Sequence, residues 1–241
     1  MRILDVLRKL VYPPEIKCVV CKKDLNNGRI CDTCLPTLFT DRDKRCVKCN
    51  RAIFGEGDYC MSCKDNEYSF ERVLGAYDYT DNTVGLVYSF KFGNSRWLAK
   101  FFADEMAKKV EEFNVPIDSI VAVPITAKVK KKRGFNQSYL MAKRISETSK
   151  IALSENLIKT RDTEEQARLD YKERATNLER AFAVPDKKEF IGKRVLLIDD
   201  VFTTGATSNE CAKAILKAGA LEVYVLVAAI TPQRAVVENR I

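Results

Sequence analysis

From Phe70 to Ile230, short apolar runs alternate with stretches in which apolar residues recur at helical spacing. The runs Val73–Tyr79 (VLGAYDY), Ser119–Ile125 (SIVAVPI), Val195–Asp199 (VLLID) and Glu222–Ile230 (EVYVLVAAI) read as strands, nearly continuous in apolar side chains as strands covered on both faces must be. Between them, Trp97–Phe113 puts Leu98, Phe101, Phe102, Met106, Val110 and Phe113 on one side of a predicted amphipathic helix. Another helix opens at Gly134–Gln137 and runs to about Ser149. A third begins near Ser208, carries Cys211, Ile215 and Ala218 on one face, and stops at Gly219. Val84–Phe92 (VGLVYSFKF) suits either a short helix or a second strand. Strands interleaved with helices predict an α/β core with a central, mainly parallel sheet flanked by helices.

Two stretches break this pattern. Leu157–Val184 is too polar for a core helix yet has strand-like ends, which suits a mobile hairpin or hood over a site; Gln166, Arg174 and Asn177 lie in it. Residues 15–68 are poor in apolar side chains and hold eight of the nine cysteines as four C-x2-C pairs, Cys18/Cys21, Cys31/Cys34, Cys46/Cys49 and Cys60/Cys63. Each pair presents two thiolates from one tight knuckle, and two knuckles complete a tetrahedral four-cysteine site. In a chain without a secretory leader this spacing reads as zinc rather than disulfides, and its evenness favours two Zn2+ over iron–sulfur ligation. Short intervening loops favour sequential pairing, with an interleaved cross-brace as the alternative. Metal then replaces the core this segment lacks. Met1–Val11 has helical spacing up to Pro13 and reads as a helix docked on the rest of the protein. The predicted division is residues 1–69, an N-terminal helix with a double zinc-ribbon module, and residues 70–241, the α/β domain.

Charge and composition narrow the chemistry. A formal net charge of +8 and a pI near 9.0 favour anionic partners, nucleic acids and phosphorylated sugars alike. The chain has no histidine, which excludes histidine-based triads and histidine metal ligands. No apolar run approaches the roughly 18 residues of a spanning helix, so no integral membrane segment and a cytoplasmic location are expected.

Candidate chemistry concentrates at the carboxyl ends of two predicted strands. Asp199 and Asp200 end the run VLLIDD, where open α/β sheets bind ligands, and Thr203, Thr204, Gly205, Ala206 and Thr207 lead into a helix. Such a loop turns backbone N–H groups and hydroxyls toward one anion, with the helix dipole behind them. The acids cannot hold a phosphate, but they accept hydrogen bonds from vicinal hydroxyls and can sit near a divalent cation. A 5-phosphorylated ribose satisfies both halves. After Ile125, Lys128, Lys130, Lys131, Lys132 and Arg133 form a flexible cationic loop at the same sheet edge, where Arg133 and Gly134 are the strongest candidates to meet a pyrophosphate.

VLLIDDVFTTGAT resembles the phosphoribosyl pyrophosphate (PRPP) signature of type I phosphoribosyltransferases. Together with the four C-x2-C pairs, YSFKFG, VAVPI followed by KKRGFNQS, and TRDTEEQARLDYKERATNLERAF, it makes nearly the whole chain similar to the ComF/ComFC family of competence-associated proteins. The resemblance implies a double zinc ribbon on a type I phosphoribosyltransferase fold with a hood. It assigns Asp199 and Asp200 to the ribose hydroxyls, the segment Val201, Phe202 and Thr203–Thr207 to the 5-phosphate, Arg133 and Gly134 to the pyrophosphate, and Lys91 to a place near the ligand. It further implies PRPP with Mg2+, displacement of pyrophosphate, and an association with natural transformation, single-stranded DNA and competence proteins. The alternative is a zinc-ribbon adaptor that binds single-stranded DNA or competence proteins and keeps the PRPP pocket for regulation or as a vestige.

Overall fold

The computed structural model describes residues 16–25, 29–39, 44–53, 56–162, 178 and 180–232. The predicted helix Met1–Val11 and the hood residues Gln166, Arg174 and Asn177 lie outside them. A five-stranded sheet, parallel throughout, forms from β1 (Val73–Asp78), β2 (Ser119–Ala122), β3 (Leu153–Ser154), β4 (Arg194–Phe202) and β5 (Glu222–Ile230), in the spatial order β1-β5-β4-β2-β3. Crossovers and flanks are supplied by α1 (Asp81–Phe92), α2 (Leu98–Lys108), α3 (Ala127–Arg133), α4 (Gln137–Ser149) and α5 (Ala206–Lys217).

The period of the strands sorts the core into two layers. Leu196, Ile198 and Leu226 face Phe90, Phe102, Met106, Met141 and Ile145 of α1, α2 and α4, all buried. Val195, Leu197, Val223 and Val225 face the other way, against Cys211 and Ile215 of α5 and against Phe70. Helix starts follow side-chain caps: Thr80 accepts from Thr83 N, Thr126 from Val129 N, and Asn136 from Tyr139 N.

Three expectations are corrected. Lys128–Arg133 is not a flexible loop; it is helical, because Thr126 caps its start, lysine and arginine are good helix formers, and Gly134 at φ 80° closes its end. Trp97–Phe113 does not stay one helix: it breaks after Lys108, and a 3-10 turn, Glu111–Phe113, carries Phe113 into the core. Strand β4 does not stop at Asp199, since Val201 and Phe202 still pair with Ala229 and Ile230 of β5. The ambiguous segment resolves as helix α1. At the base of the predicted hairpin, Ile158–Lys159 pairs antiparallel with Phe182–Ala183.

Both cysteine quartets assemble sequentially, Cys18/Cys21/Cys31/Cys34 and Cys46/Cys49/Cys60/Cys63, each with its four sulfurs within 4.8 Å of one another; the cross-brace is excluded. The spacing suits Zn2+, whose Zn–S bonds of about 2.3 Å set tetrahedral sulfurs roughly 3.8 Å apart. Crowding drives the thiols toward metal binding. Four thiols this close cannot all ionise unless a cation offsets their charge, and Zn2+ supplies that charge.

The two ribbons dock on different layers. The first buries Leu38 with the α1/α2 layer, and Thr37 meets α1 through Thr80 Oγ1 at 2.9 Å and Asn82 Nδ2 at 2.7 Å. The second lies in the α5 layer and covers the free edge of β1. There Val73 N donates to Lys48 O at 2.8 Å, and Arg45 pairs bidentately with Asp78 at 2.6 and 2.8 Å. An exposed edge of unpaired N–H and C=O groups is an aggregation hazard, which the ribbon removes.

Candidate functional site

The carboxyl edge of β4 delivers both predicted acids to one place. Asp200 ion-pairs with Lys91 Nζ at 2.9 Å from the last turn of α1. Asp199 accepts from Ser138 Oγ, on the first turn of α4, at 3.1 Å and from Asp200 N at 2.8 Å. Burial first, and the Asp200 charge second, push the Asp199 carboxyl up to about 7. The loop Thr203–Gly205 then turns sharply. Gly205 sits at φ 85°, and a Cβ there would come within 2.9 Å of both Phe202 and Tyr68, so only glycine fits. Ala206 N donates to Thr204 Oγ1 at 3.3 Å as α5 begins. A loop closing on a helix start offers backbone donors to an anion, while the acids beside it offer acceptors to hydroxyls.

The predicted residues separate into two groups. Lys91, Asp199 and Asp200 meet at the carboxyl edge of β4, and the 203–207 loop follows directly in the chain. Arg133 lies one step away, its guanidinium 5.3 Å above the ring of Phe92, the neighbour of Lys91. The Gly134 carbonyl accepts from Arg96 Nη2 at 3.3 Å. Phe202 serves the loop from beneath: its ring is buried against Phe70 at 5.9 Å, so only its backbone faces the site.

Sequence reasoning missed Ser138 and Tyr68. Ser138 stands in the RGFNQS segment at the α4 start, but nothing in a lone serine says that its hydroxyl meets a carboxylate 61 positions away. Tyr68 follows the last zinc knuckle in a polar stretch without periodicity, and its hydroxyl donates to Thr204 O at 2.9 Å.

A cavity of about 470 Å3 adjoins this edge, lined by Pro124, Thr126 and Lys128 after β2 and by Lys159, Thr160 and Arg161 of the hairpin base, among others. Burial lowers the Lys159 ammonium from its ordinary value.

A phosphoribosyl transferase domain model matches residues 99–239 and a double zinc ribbon domain model residues 7–64. Competence protein F of Haemophilus influenzae is 30% identical over 222 residues, 88% of this chain and 95% of that protein. The chain belongs to the competence protein F (ComF) family. DNA utilization protein YhgH of Escherichia coli K12, 29% identical over 217 residues, covers 86% of this chain and 94% of its own. A solved glutamine PRPP amidotransferase from B. subtilis aligns over 56% of this chain and 26% of its own at 21% identity, with a TM-score of 0.38. The ComF-family chain thus carries a type I phosphoribosyltransferase fold behind a Cys-rich zinc-ribbon region.

Holding the Asp199 carboxyl above its ordinary pKa has a cost that can be read in solution. Between the ordinary carboxylate range and about 7, folded Asp199 keeps a proton that the unfolded chain has released, so stability falls as pH rises through that window and levels off above it. Asp199→Asn removes this dependence. In ligand-free thermal melts at pH 4 to 8, the variant should exceed wild type by roughly 10 °C at pH 8 and converge with it only near pH 4. Equal melting curves at pH 8 would refute the buried-carboxylate account.

Proposed function

We propose that this ComF-family chain binds PRPP and transfers its phosphoribosyl group in the cytoplasm with loss of pyrophosphate, residues 70–241 acting as the transferase domain and 1–69 as the ribbon module. The observation that carries the reading is the Lys91–Asp200 pair at the mouth of the 203–207 loop: anion-binding donors, a cation and hydroxyl acceptors lie within one ligand's reach. The 5-phosphate takes the loop, the ribose hydroxyls take Asp199 and Asp200, and the pyrophosphate lies toward Arg133 and Gly134. An acceptor nucleophile entering from the Lys128/Lys159 cavity attacks C1; the C1–O bond breaks, and pyrophosphate leaves with the electron pair. Positive charge growing on the ribose favours nearby carboxylates, so electrostatic fit rather than a strong base supports the step.

Mg2+ fits this site only in part. Among the described residues just the cysteine quartets gather three or more ligating groups, and Asp200 is already paired with Lys91. Mg2+ would neutralise pyrophosphate charge while drawing most of its ligands from PRPP itself. Calorimetric titration with PRPP and Mg2+, followed by pyrophosphate-release assays across nucleobase and other acceptors, tests the proposal; absence of heat from PRPP would remove its basis.

A second reading, single-stranded nucleic acid as partner, is favoured by one surface. Tyr88 and Phe92 are 65% and 51% exposed on successive turns of α1, their rings 5.0 Å apart, with Arg133 over Phe92 and the lysines of α3 alongside. Exposed aromatics between cations stack bases and bind phosphates. Tyr88→Ala with Phe92→Ala should weaken oligo-dT binding by tenfold or more, at about 1–3 kcal/mol per stacked base, with the salt slope unchanged. An unaltered affinity in fluorescence anisotropy would exclude this surface.

A further inference from the structure

We infer that Tyr68, in the segment joining the second zinc site to the α/β domain, is a positioning residue that holds the 203–207 loop in its anion-binding shape. The inference rests on the PRPP reading for its functional consequence but on independent contacts for its geometry. Tyr68 stands five positions after Cys63. Its hydroxyl donates to Thr204 O at 2.9 Å, fixing the carbonyl at the loop's centre. Its ring forms one wall against Gly205, where an added Cβ would approach Tyr68 Cε1 at 2.9 Å and Phe202 Cζ at 2.9 Å. The next residue reaches the helix behind the loop: Ser69 N donates to Asn209 Oδ1 at 2.7 Å on the first turns of α5.

This support is itself anchored in the ribbon. Tyr68 stacks on Phe70 at 4.8 Å and 18°, and Phe70 meets Phe202 edge-on at 5.9 Å. Phe70 is fully buried in the cluster that holds Cys46, Cys49 and Cys60. Lys48 Nζ lies 5.6 Å above the Phe70 ring, and Arg51 lies 5.3 Å above Phe202 while its Nε donates to Thr231 O at 3.0 Å. Asn66 Nδ2 donates to Ser62 O at 2.8 Å, tying the segment to the short helix Met61–Asp65 that carries Cys63. With its carbonyl held from below, the Thr204–Gly205 peptide turns its own N–H to the opposite side, the orientation an anion requires. If this chain of contacts couples the loop to the quartet, reciprocity requires a ligand that orders the loop to raise the second quartet's equilibrium affinity for metal.

The test uses the full zinc-loaded chain with Tyr68→Phe, which removes only the hydroxyl, and Tyr68→Ala, which removes the ring as well. Amide hydrogen exchange without ligand should speed up at residues 203–207 in both variants and stay unchanged in β5. Zinc content should match wild type. Tyr68→Phe should weaken ribose 5-phosphate and PRPP by about fivefold, the worth of one neutral hydrogen bond, and Tyr68→Ala by considerably more. Inorganic pyrophosphate, which the PRPP reading places toward Arg133 and Gly134, should lose less affinity than ribose 5-phosphate, a selectivity that general destabilisation would not produce. PRPP should raise the second quartet's affinity for zinc, read at equilibrium against a competing chelator, in wild type and lose that effect in Tyr68→Ala. Unchanged exchange at 203–207 in Tyr68→Ala would overturn the inference even if wild type bound no PRPP. Faster exchange together with wild-type chain that ignores PRPP would leave Tyr68 as the loop's support and discard the PRPP reading instead.

Discussion

Asp200→Ala should lower PRPP affinity by roughly ten- to a hundredfold, since a hydrogen bond to a charged acceptor contributes roughly 1.5–3 kcal/mol and one ribose hydroxyl loses its partner while Asp199 keeps the other. The effect has a sign that simple disruption does not share. Asp200 neutralises Lys91 at 2.9 Å, and both side chains are largely buried. Without the carboxylate, the ammonium faces the phosphate loop uncompensated, so inorganic phosphate or pyrophosphate should bind as well as in wild type or better. Asp200→Asn keeps the shape and one acceptor oxygen and should fall between the two. Lys91→Ala should weaken every anion, with or without ribose. Calorimetry over this set of variants and ligands separates recognition of the ribose from attraction of charge. A PRPP affinity in Asp200→Ala equal to that of wild type would show that the ribose does not meet this acid, and the orientation of the ligand would have to be reversed or abandoned.

What could be read ahead of the structure follows from range. Strands buried on both faces announce themselves as unbroken apolar runs, so Glu222–Ile230 matches β5 residue for residue. The cysteine knuckles and the acid-plus-small-residue loop are local patterns whose chemistry needs those spacings, and both quartets form as sequential neighbours. Helix α3 was hidden because a run of cations looks solvated whatever its backbone does, and its signals were only a threonine before it and a glycine after it. The ribbons' placement on opposite layers was illegible for a different reason. Docking depends on Leu38, Arg45 and Phe70 meeting residues far along the chain, and no periodicity records such pairs. The same holds for Tyr68, whose partner lies 136 positions away.

That asymmetry of docking makes the second zinc site the more consequential of the two. Cys49 is fully buried and its sulfur lies 3.5 Å from that of Cys60, inside the cluster that includes Phe70, Val73 and Phe202. In the first quartet Cys21 is exposed and Cys31 half-buried, while Cys18 and Cys34 are buried. Structural zinc contributes on the order of 10–16 kcal/mol in isolated finger peptides, comparable to the roughly 5–15 kcal/mol by which a whole domain is stable. Losing it at the second quartet would also leave buried thiols without a counter-ion, release the strap over the edge of β1, and bare Phe70 to water. Cys49→Ser should therefore either fail to accumulate as soluble protein or melt more than about 10 °C below wild type, the shift expected of a loss above 3 kcal/mol in a chain of this size. Cys21→Ser should retain one zinc per chain, a soluble fold and PRPP binding close to wild type, because its ribbon touches α1 rather than the phosphate loop. Metal content by mass spectrometry and melting curves for the two variants decide the matter. Equal losses of stability would mean that both ribbons bear on the core alike, and the link from the second quartet through Phe70 to the loop would then carry no special weight.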